Sequence, residues 1–297
     1  MKAGFVSLIG RPNAGKSTLL NQFAGQKIAI VSDKPQTTRH RITGIRHVRG
    51  GQMVFIDTPG IHKPQHRMNR RMVDTAVGTL RDVDVVVLVV DATVRPGSGD
   101  AFVLDLLGKA GKPAILALNK VDRIHKPRLL PIIDHFARAF PFRAVVPISA
   151  RTGENLPALE QEILSALPEG EALYPEDVFT DQTERTLAAE LIREQVLVHT
   201  REELPYTTAV VIDGFEAPAE AGGLTRIHAS ILVEQASQKP IVVGKGGAMI
   251  KRIGTDARRA LEQMLDGKVY LDLHVKVRTD WREDERLLDE LGLGPSR

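Results

Sequence analysis

The residues from Gly10 to Ser17 have types and a spacing that suit phosphate binding. They read G-R-P-N-A-G-K-S and directly follow a mostly apolar run from Phe5 to Ile9. The glycines let the backbone curl so that successive N–H groups face one anion, the lysine adds a positive charge, and the serine hydroxyl can ligate magnesium. A helix that begins here would point its positive end at the phosphates. The segment therefore predicts a P-loop and nucleoside triphosphate chemistry, with a plain Gly-rich turn as the alternative.

A second polar segment, Asp57-Thr58-Pro59-Gly60, ends the short apolar run from Val54 to Ile56. A carboxylate at the tip of a buried strand can hold magnesium, in most such sites through a water, and the Gly60 N–H can reach a γ-phosphate. D-x-x-G alone is more often a turn, but here it follows the P-loop on a second predicted strand. We therefore predict that Asp57 and Ser17 belong to a magnesium site.

The third segment, Asn119-Lys120-Val121-Asp122, indicates which base is bound. The Asp122 carboxylate can accept hydrogen bonds from guanine N1–H and from the exocyclic amine, whereas adenine offers neither donor there. Two charge-assisted bonds of about 1.5–3 kcal/mol each favour guanine by roughly 10² to 10⁴. Ser149-Ala150 follows a further predicted strand and suits a loop whose backbone N–H meets guanine O6. The pattern predicts GTP rather than ATP. The predicted nucleotide-binding residues are Gly10, Asn13, Ala14, Gly15, Lys16, Ser17, Thr18, Asp57, Gly60, Asn119, Lys120, Asp122, Ser149 and Ala150.

Alternating strands and helices must position these segments. The predicted strands are 3–9, 41–48, 52–57, 84–90, 113–118 and 143–148, and the predicted helices are 16–24, 68–80, 99–109, 128–138 and 155–166. This alternation is typical of an α/β, doubly wound, mostly parallel sheet. Together with the motifs, it resembles the G domain of the translation-factor class of GTPases.

Composition and charge divide the chain. Its 297 residues suffice for two domains, and the absence of cysteine excludes disulfides and thiolate metal sites. No apolar run approaches the roughly 20 residues of a membrane span, and the first residues already read as a strand rather than a signal peptide, so we expect a cytoplasmic protein.

Residues 1–168 carry 24 Lys/Arg and 13 Asp/Glu, residues 169–180 carry four acids and no base, and residues 181–297 carry 16 bases and 20 acids. We predict one domain over 1–168, a Pro-containing linker over 169–180 and a second domain over 181–297.

The second domain contains a Gly-rich loop, Gly244-Lys245-Gly246-Gly247, before a predicted helix (247–265). A helix (182–200) and strands (206–216, 224–234, 268–278) complete the predicted pattern. Residues 239–278 hold nine bases and four acids although the domain as a whole is acidic, so any RNA binding would use one local patch. A solvated charged helix face is the alternative.

The order of these elements resembles an α+β type II KH domain, in which the loop clamps about four nucleotides. Propensity predicts a strand from Pro240 to Val243, whereas the resemblance implies a short helix there. The tail from Trp281 to Leu291 reads as an amphipathic helix. The predicted RNA-binding residues are Ile241, Val242, Gly244, Lys245, Gly246, Gly247, Ile250, Lys251, Arg252, Arg258 and Arg259.

A G domain followed by a KH-like domain resembles the Era family of bacterial GTPases over nearly the whole chain. The resemblance rests on G-R-P-N-A-G-K-S, K-P-Q-T-T-R-H-R (34–41), D-T-P-G, N-K-V-D, L-Y-P-E-D (173–177) and G-K-G-G-x-x-I-K-x-I-G (244–254). It implies a GTP/GDP-switched factor in 30S subunit assembly whose KH domain binds the 3′ end of small-subunit ribosomal RNA. It also implies peripheral contact with the inner face of the cell membrane. We further expect a monomer.

The expected mechanism departs from that of Ras-type enzymes. The residue after D-T-P-G is Ile61, which cannot orient water as a glutamine does. In related GTPases an asparagine in the position of Asn13 helps to hold potassium, so we expect Mg²⁺ and K⁺ as cofactors, although Asn13 can also serve only to stabilise the loop. By resemblance, Thr38 rather than Thr37 completes the magnesium site with Ser17 and Asp57. The residues expected to act in hydrolysis are Lys16, Thr38, Gly60 and Asn13.

Three alternatives follow from these observations. The chain is a GTPase coupled to RNA binding, slow without potassium or a partner, or a nucleotide-gated RNA clamp with incidental hydrolysis. An RNA-modifying enzyme is disfavoured because the second domain shows no catalytic cysteine, paired carboxylates or cofactor loop. His62 and His66 read as solvated switch residues, with a metal-binding pair as the alternative.

Overall fold

The computed structural model describes residues 1–32, 34, 37–60, 67–200, 204–218, 220 and 222–293. They form two compact units. The first contains residues 1–29 and the described residues from 37 to 181. The second contains residues 30–32 and 34 and the described residues from 182 to 293.

The first unit is built on a six-stranded sheet in the order β2-β3-β1-β4-β5-β6. Only β2 is antiparallel to its neighbour. The strands are β1 (Lys2–Ile9), β2 (Ile42–Val48), β3 (Gly51–Asp57), β4 (Val85–Asp91), β5 (Ala114–Asn119) and β6 (Ala144–Pro147). The helices are α1 (Lys16–Ala24), α2 (Arg67–Asp82), α3 (Ser98–Ala110), α4 (Leu129–Ala139) and α5 (Leu156–Ala166). The prediction of a doubly wound, mostly parallel sheet is confirmed.

Each face of this sheet carries its own apolar core. On one face Leu19 and Phe23 of α1 pack with Leu159 of α5, and the Phe23 and Phe55 rings stack with centroids 4.5 Å apart. On the other face α2, α3 and α4 cover the sheet. The first six residues of β4 are Val and Leu and are buried, as expected of a strand covered on both faces. Because the strands beside β1 are parallel, their carboxyl ends meet at one edge of the sheet, where the nucleotide motifs lie.

The predicted linker, residues 169–180, is an ordered strap of the first unit. The buried Gln52 side chain accepts from the backbone N–H groups of Leu173 (2.7 Å) and Tyr174 (3.0 Å) and donates to the Tyr174 carbonyl (2.7 Å). Further along, the Ile45 N–H donates to the Phe179 carbonyl at 2.8 Å. The strap therefore satisfies its backbone polar groups along β2 and β3, as ordered chain must.

The second unit has a three-stranded sheet in the order β7-β8-β9, with β7 antiparallel and β9 parallel to β8. Its strands are β7 (Ala209–Glu216), β8 (Leu224–Val233) and β9 (Lys268–Val277). Its helices are α6 (Glu184–His199), α7 (Leu204–Thr207), α8 (Lys239–Val243), α9 (Ala248–Met264) and α10 (Glu285–Glu290). The α+β KH expectation is confirmed, including the short helix α8, whose first turn accommodates Pro240 because that turn needs no N–H from it. The predicted first strand begins later than expected, because 204–207 is helical.

The prediction of one amphipathic helix over 281–291 is wrong. A 3₁₀ turn (Trp281–Glu283) is followed by extended backbone at Asp284, and α10 begins only after it. The Asp284 carboxylate accepts from the N–H groups of Arg286 and Leu287 and so caps α10. Trp281 is fully buried and its indole N–H donates to the Thr207 carbonyl at 2.8 Å, which anchors the break in the core.

Candidate functional site

The loop between β1 and α1 has the geometry that its glycines predict. Gly10 and Gly15 have φ angles of 148° and 97°, and Asn13 has a φ of 63°. A side chain at Gly10 would overlap the Val89 carbonyl, and one at Gly15 would overlap the Asn119 amide. The loop can therefore curl only with glycine at these two positions, and α1 begins directly after it at Lys16.

Lys16 lies inside this loop with its side chain buried. Its Nζ donates to the carbonyls of Gly10 (3.3 Å) and Arg11 (3.2 Å). Burial lowers the pKa of Lys16, and the negative charge of Asp57 opposes that change. A bound phosphate would favour the charged ammonium, so the lysine is placed to respond to nucleotide.

Ser17, Thr38 and Asp57 come together although they are far apart in sequence. Ser17 Oγ lies 2.7 Å from Thr38 Oγ1 and 2.7 Å from Asp57 Oδ2, and Thr38 Oγ1 lies 3.2 Å from the same carboxylate oxygen. Asp57 is fully buried, and burial raises its pKa against the opposing attraction of Lys16. Its Oδ1 has no hydrogen-bond partner among the described residues. Three clustered oxygens, one of them a buried carboxylate with an orphaned atom, suit a hard divalent cation.

The remaining predicted phosphate-site residues lie beside this cluster. Ala14 is buried, and Thr18 is half-buried in the first turn of α1. Gly60 is buried against the P-loop, where a Cβ atom built on it would lie 2.9 Å from Pro12 Cα. The interpretations of Ile61, His62 and His66 lie outside the described residues.

Asn119 and Lys120 connect the guanine motif to the P-loop. Asn119 Nδ2 donates to the Ala14 carbonyl at 2.8 Å, and its Oδ1 accepts from the Ala150 N–H at 2.9 Å. Lys120 Nζ donates to the Asn13 carbonyl at 2.7 Å and to Asp91 Oδ2 at 2.6 Å. In this structure the Ala150 N–H, the candidate donor to guanine O6, is thus used within the protein.

The Asp122 carboxylate is held by two donors. Ser149 Oγ donates to its Oδ1 at 2.7 Å, and an Arg151 guanidinium nitrogen donates to its Oδ2 at 2.8 Å. The Ser149 hydroxyl, with the positive charge of Arg151, keeps the pKa of Asp122 below its ordinary value. The group is therefore an ionised acceptor at neutral pH, as recognition of guanine donors requires.

Two residues of this site were not among the predicted ones. Asp91 ends β4 and pairs with Lys120, and its position after the apolar run of β4 was the available signal. Arg151 pairs with Asp122 at 2.8 Å. The sequence offers no comparable signal for Arg151, because only the fold brings its side chain to Asp122.

The GxxG loop of the second unit is also shaped by its glycines. Gly244, Gly246 and Gly247 have φ angles of 75°, 60° and 80°. A Cβ atom at Gly244 would lie 2.7 Å from Met249 N, whereas open space surrounds Gly246 and Gly247. The backbone of the loop is therefore open to a ligand on one side.

The predicted RNA-binding side chains are placed unequally. Lys245, Lys251 and Arg252 are exposed and form no ion pair within the described chain. Arg258 and Arg259 are exposed but lie 4.0 Å from Glu262 and 3.5 Å from Asp256. Their charge is therefore partly compensated, unlike that of the other three.

The apolar candidates also differ. Ile241 is 51% exposed and Ile250 is half-buried, so both can offer surface to a base. Val242 is fully buried in the core of the unit. The prediction that Val242 contacts RNA is corrected, because α8 packs this side chain into the apolar core of the unit.

The fold and the two sites define a P-loop GTPase that carries a KH domain. The chain matches the family described as 50S ribosome-binding GTPase over residues 5–120 and the KH domain family over residues 203–282. It is 51% identical to the GTPase Era of Geobacter metallireducens and 49% identical to that of Trichlorobacter lovleyi, in both cases over 98% of this chain and 97% of the relative. The chain belongs to the Era family of GTPases.

Two solved structures show the same architecture at 40% identity. One is a single-residue variant of Aquifex aeolicus Era bound to GDP.AlF4- (TM-score 0.94, over 99% of this chain and 100% of that chain). The other is Era in complex with MgGDPNP and nucleotides 1506–1542 of 16S ribosomal RNA (TM-score 0.95, over 99% of each chain). The GTPase prediction is therefore confirmed. Within the described residues, every helix is too short or too polar to cross a lipid bilayer.

Proposed function

We propose that the protein is a GTP-controlled factor of 30S subunit assembly whose KH domain binds the single-stranded 3′ end of 16S ribosomal RNA. One observation carries this proposal: a single chain holds both a guanine-nucleotide site and an open GxxG loop. A relative of 40% identity and TM-score 0.95 binds MgGDPNP and 16S ribosomal RNA together.

The phosphate end of the site supports Mg²⁺ as the cofactor. Ser17 and Thr38 would ligate it, and Asp57 would hold it directly or through water. When bound, this ion neutralises charge on the β- and γ-phosphates. The N–H groups of the P-loop bind the phosphate oxygens, and Lys16 leaves its two carbonyl partners to donate to them. Thr38 lies in the first switch segment, so its contact with the γ-phosphate side of the site couples nucleotide state to the position of that segment.

Hydrolysis needs positive charge beside the phosphates and an oriented water. We propose that Asn13 helps to hold K⁺ there, because its side chain is exposed at the P-loop and its backbone is already in the left-handed conformation. Gly60, which packs against Pro12, would offer its N–H to the γ-phosphate. The incidental-hydrolysis alternative is disfavoured by the intact set of Ser17, Thr38 and Asp57.

At the KH loop, RNA phosphates would approach the backbone at Gly246 and Gly247, and Lys245, Lys251 and Arg252 would neutralise them. Bases would lie on Ile241 and Ile250. We assign GTP binding to residues 1–168, the connecting strap to 169–180 and RNA binding to 181–297. A monomer and a peripheral contact with the cytoplasmic membrane face remain part of the proposal, the latter supported by the family and by the excess of Lys and Arg in residues 1–168.

A charge reversal in the loop tests this function. Lys245→Asp with Gly246→Asp should abolish binding of an RNA that spans nucleotides 1506–1542 of 16S ribosomal RNA and leave GTP affinity unchanged. Position 246 accepts aspartate because its Cβ has open space, and aspartate tolerates positive φ better than most residues do. Gly244 is left intact because a side chain there would overlap Met249.

The matched control is Arg49→Asp with Gly50→Asp in the first unit. It makes the same charge change at an exposed turn, and Gly50 likewise has a positive φ (83°) and open space around its Cβ. RNA affinity should be measured by fluorescence anisotropy at fixed salt, since phosphate contacts depend on salt. Unchanged RNA affinity in the loop variant, or an equal loss in the control, would remove the KH assignment.

A further inference from the structure

The face of the KH sheet opposite α6, α8 and α9 carries an exposed aromatic and basic surface at the end away from α10. The register of β8 and β9 places alternate residues on this face as cross-strand neighbours. The pairs are Leu224–Lys268, Arg226–Tyr270, His228–Asp272, Ser230–His274 and Leu232–Lys276. We call the part formed by Arg226, His228, Lys268, Tyr270, Asp272 and His274 the outer-face patch.

Three rings of this patch are held in place. Asp272 Oδ2 lies 3.2 Å from His228 Nδ1 and 3.2 Å from His274 Nε2. The Tyr270 ring lies edge-on to His228, with centroids 6.2 Å apart, and Tyr270 is 47% exposed. Partial burial raises the pKa of Asp272, but the hydrogen bonds from the two histidines outweigh it and hold that pKa below its ordinary value. Ordered, exposed rings lose little freedom when a base stacks on them.

The neighbouring strand leaves these rings uncovered. Gly214 of β7 lies opposite His228, and even a single Cβ atom there would sit 3.5 Å from His228 Cδ2. A larger residue at 214 would cover the ring. The histidine therefore has a free approach from the β7 side.

Cations border the rings. Arg226 and Lys268 are both exposed at one end of the patch, and within the described residues neither forms an ion pair. At the other end, Lys276 is compensated by Asp213 at 3.5 Å. Glu216 of β7 lies opposite Arg226 in the strand register, whereas Lys268 lies opposite Leu224. Lys268 therefore supplies most of the available positive charge near Tyr270, where a phosphate next to a stacked base would need it.

Strand β9 separates the outer-face patch from the helices that flank the GxxG loop. Strand β9 is at the edge of the sheet, and both α8 and α9 contact it. Leu271 and Leu273 of β9 pack toward the helices, while Tyr270, Asp272 and His274 alternate with them on the other face. A strand of RNA that leaves the GxxG loop along the edge of the sheet reaches these rings by crossing β9 alone.

We propose that the outer-face patch is a second contact for single-stranded RNA, on which bases flanking the GxxG-bound nucleotides stack against Tyr270, His228 and His274 while Arg226 and Lys268 bind phosphate. This proposal rests on RNA binding by the KH domain. A sheet surface that presents aromatic side chains to stacked bases is an established solution for single strands, and stacking tolerates any base sequence. The patch thereby lengthens the bound RNA segment beyond the roughly four nucleotides that the loop clamps.

The test compares RNA lengths. The long probe spans nucleotides 1506–1542 of 16S ribosomal RNA, and nested truncations of it down to about four nucleotides form the short series. The double substitution Tyr270→Ala with His274→Ala should weaken binding of the long probe at least about fivefold for each stacked base lost. It should leave the affinity for the shortest probe that binds unchanged. Tyr270→Phe should retain the affinity, because a phenyl ring still stacks. Ultraviolet crosslinking should map to Tyr270 or His274 only with the longer probes.

Controls separate the possible failures. Phe102→Ala removes an exposed aromatic from the first unit and should leave every affinity unchanged, and thermal melts of each variant should confirm a folded KH unit. The patch proposal would be overturned if the wild type and Tyr270→Ala/His274→Ala bound RNA of every length with equal affinity. It would also be overturned if the variant lost the same affinity at every RNA length. If Lys245→Asp/Gly246→Asp abolishes binding while the patch variant does not weaken it, only the patch is wrong. If neither variant weakens RNA binding, the proposed RNA-binding function of the KH domain fails as well.

Discussion

Asp122→Asn should convert the guanine site into a xanthine site. Asp122 is expected to accept from guanine N1–H and from the exocyclic amine, and each charge-assisted bond would contribute about 1.5–3 kcal/mol. In the variant the amide oxygen can accept one of them, while the amide N–H faces the other donor. GTP affinity should therefore fall roughly 10²-fold to 10⁴-fold. The affinity for xanthosine triphosphate should rise, because its 2-oxo group accepts a hydrogen bond from the new amide N–H.

The surrounding residues decide how the new amide is oriented. Arg151 can only donate, so the amide oxygen must face it, whereas the Ser149 hydroxyl can turn and accept from the amide nitrogen. The variant side chain therefore has a single satisfied orientation. The asparagine side chain should therefore occupy the position of the native carboxylate, and the loop should keep its conformation.

Competition against a fluorescent GDP analogue, with GTP and xanthosine triphosphate as competitors in excess magnesium, measures both affinities. Asp105→Asn is the control, because Asp105 pairs with Lys109 on an exposed helix face and the loss of this pair should change neither affinity. GTP binding that stays within about twofold of wild type in Asp122→Asn would refute the guanine assignment.

Three further changes test other parts of the structure. Thr38→Ala removes one of the clustered oxygens, and titration calorimetry should show weaker binding of a GTP analogue in Mg²⁺ but nearly unchanged binding of GDP. This difference is expected because Thr38 is proposed to respond to the γ-phosphate. Equal losses for both nucleotides would contradict its role. Phosphate release by the wild-type enzyme should be faster in potassium chloride than in sodium chloride at equal ionic strength, and Asn13→Ala should abolish the difference; equal wild-type rates would count against potassium. Trp281→Phe leaves the Thr207 carbonyl without its indole donor and should lower the free energy of unfolding by about 1–3 kcal/mol in urea titrations; an unchanged midpoint would show that this contact does not anchor the tail.

The nucleotide motifs were predictable because their chemistry is local. Gly10 and Gly15 stand at fixed places in one short motif that predicts a curled backbone, and both adopt positive φ angles. The strands of the first unit were predictable for a related reason, since apolar runs such as that of β4 have one stable place, in the middle of a covered sheet. The guanine motif was also readable, because base recognition needs a carboxylate near the end of a strand.

Contacts between distant parts of the chain could not be predicted in this way. Arg151 pairs with Asp122 because the pairing of β6 with β5 brings the two loops together. The residue types alone do not predict this ion pair. The sequence predicts a linker over 169–180 but not its contacts, and Gln52, which lies far away in sequence, binds its backbone. The tail looked like one helix, but burial of Trp281 forces a break at Asp284.

By itself, the sequence determined the class of chemistry and the order of the elements, because glycine geometry, charge and apolar periodicity act over a few neighbouring residues. Only the tertiary structure decided that Arg151 pairs with Asp122, that Val242 points inward while Ile241 stays exposed, and that Tyr270 and His274 share an open sheet face. These outcomes depend on strand register, helix rotation and the packing of segments far apart in the chain. Such contacts follow from burying the whole core at once, and no local pattern encodes them.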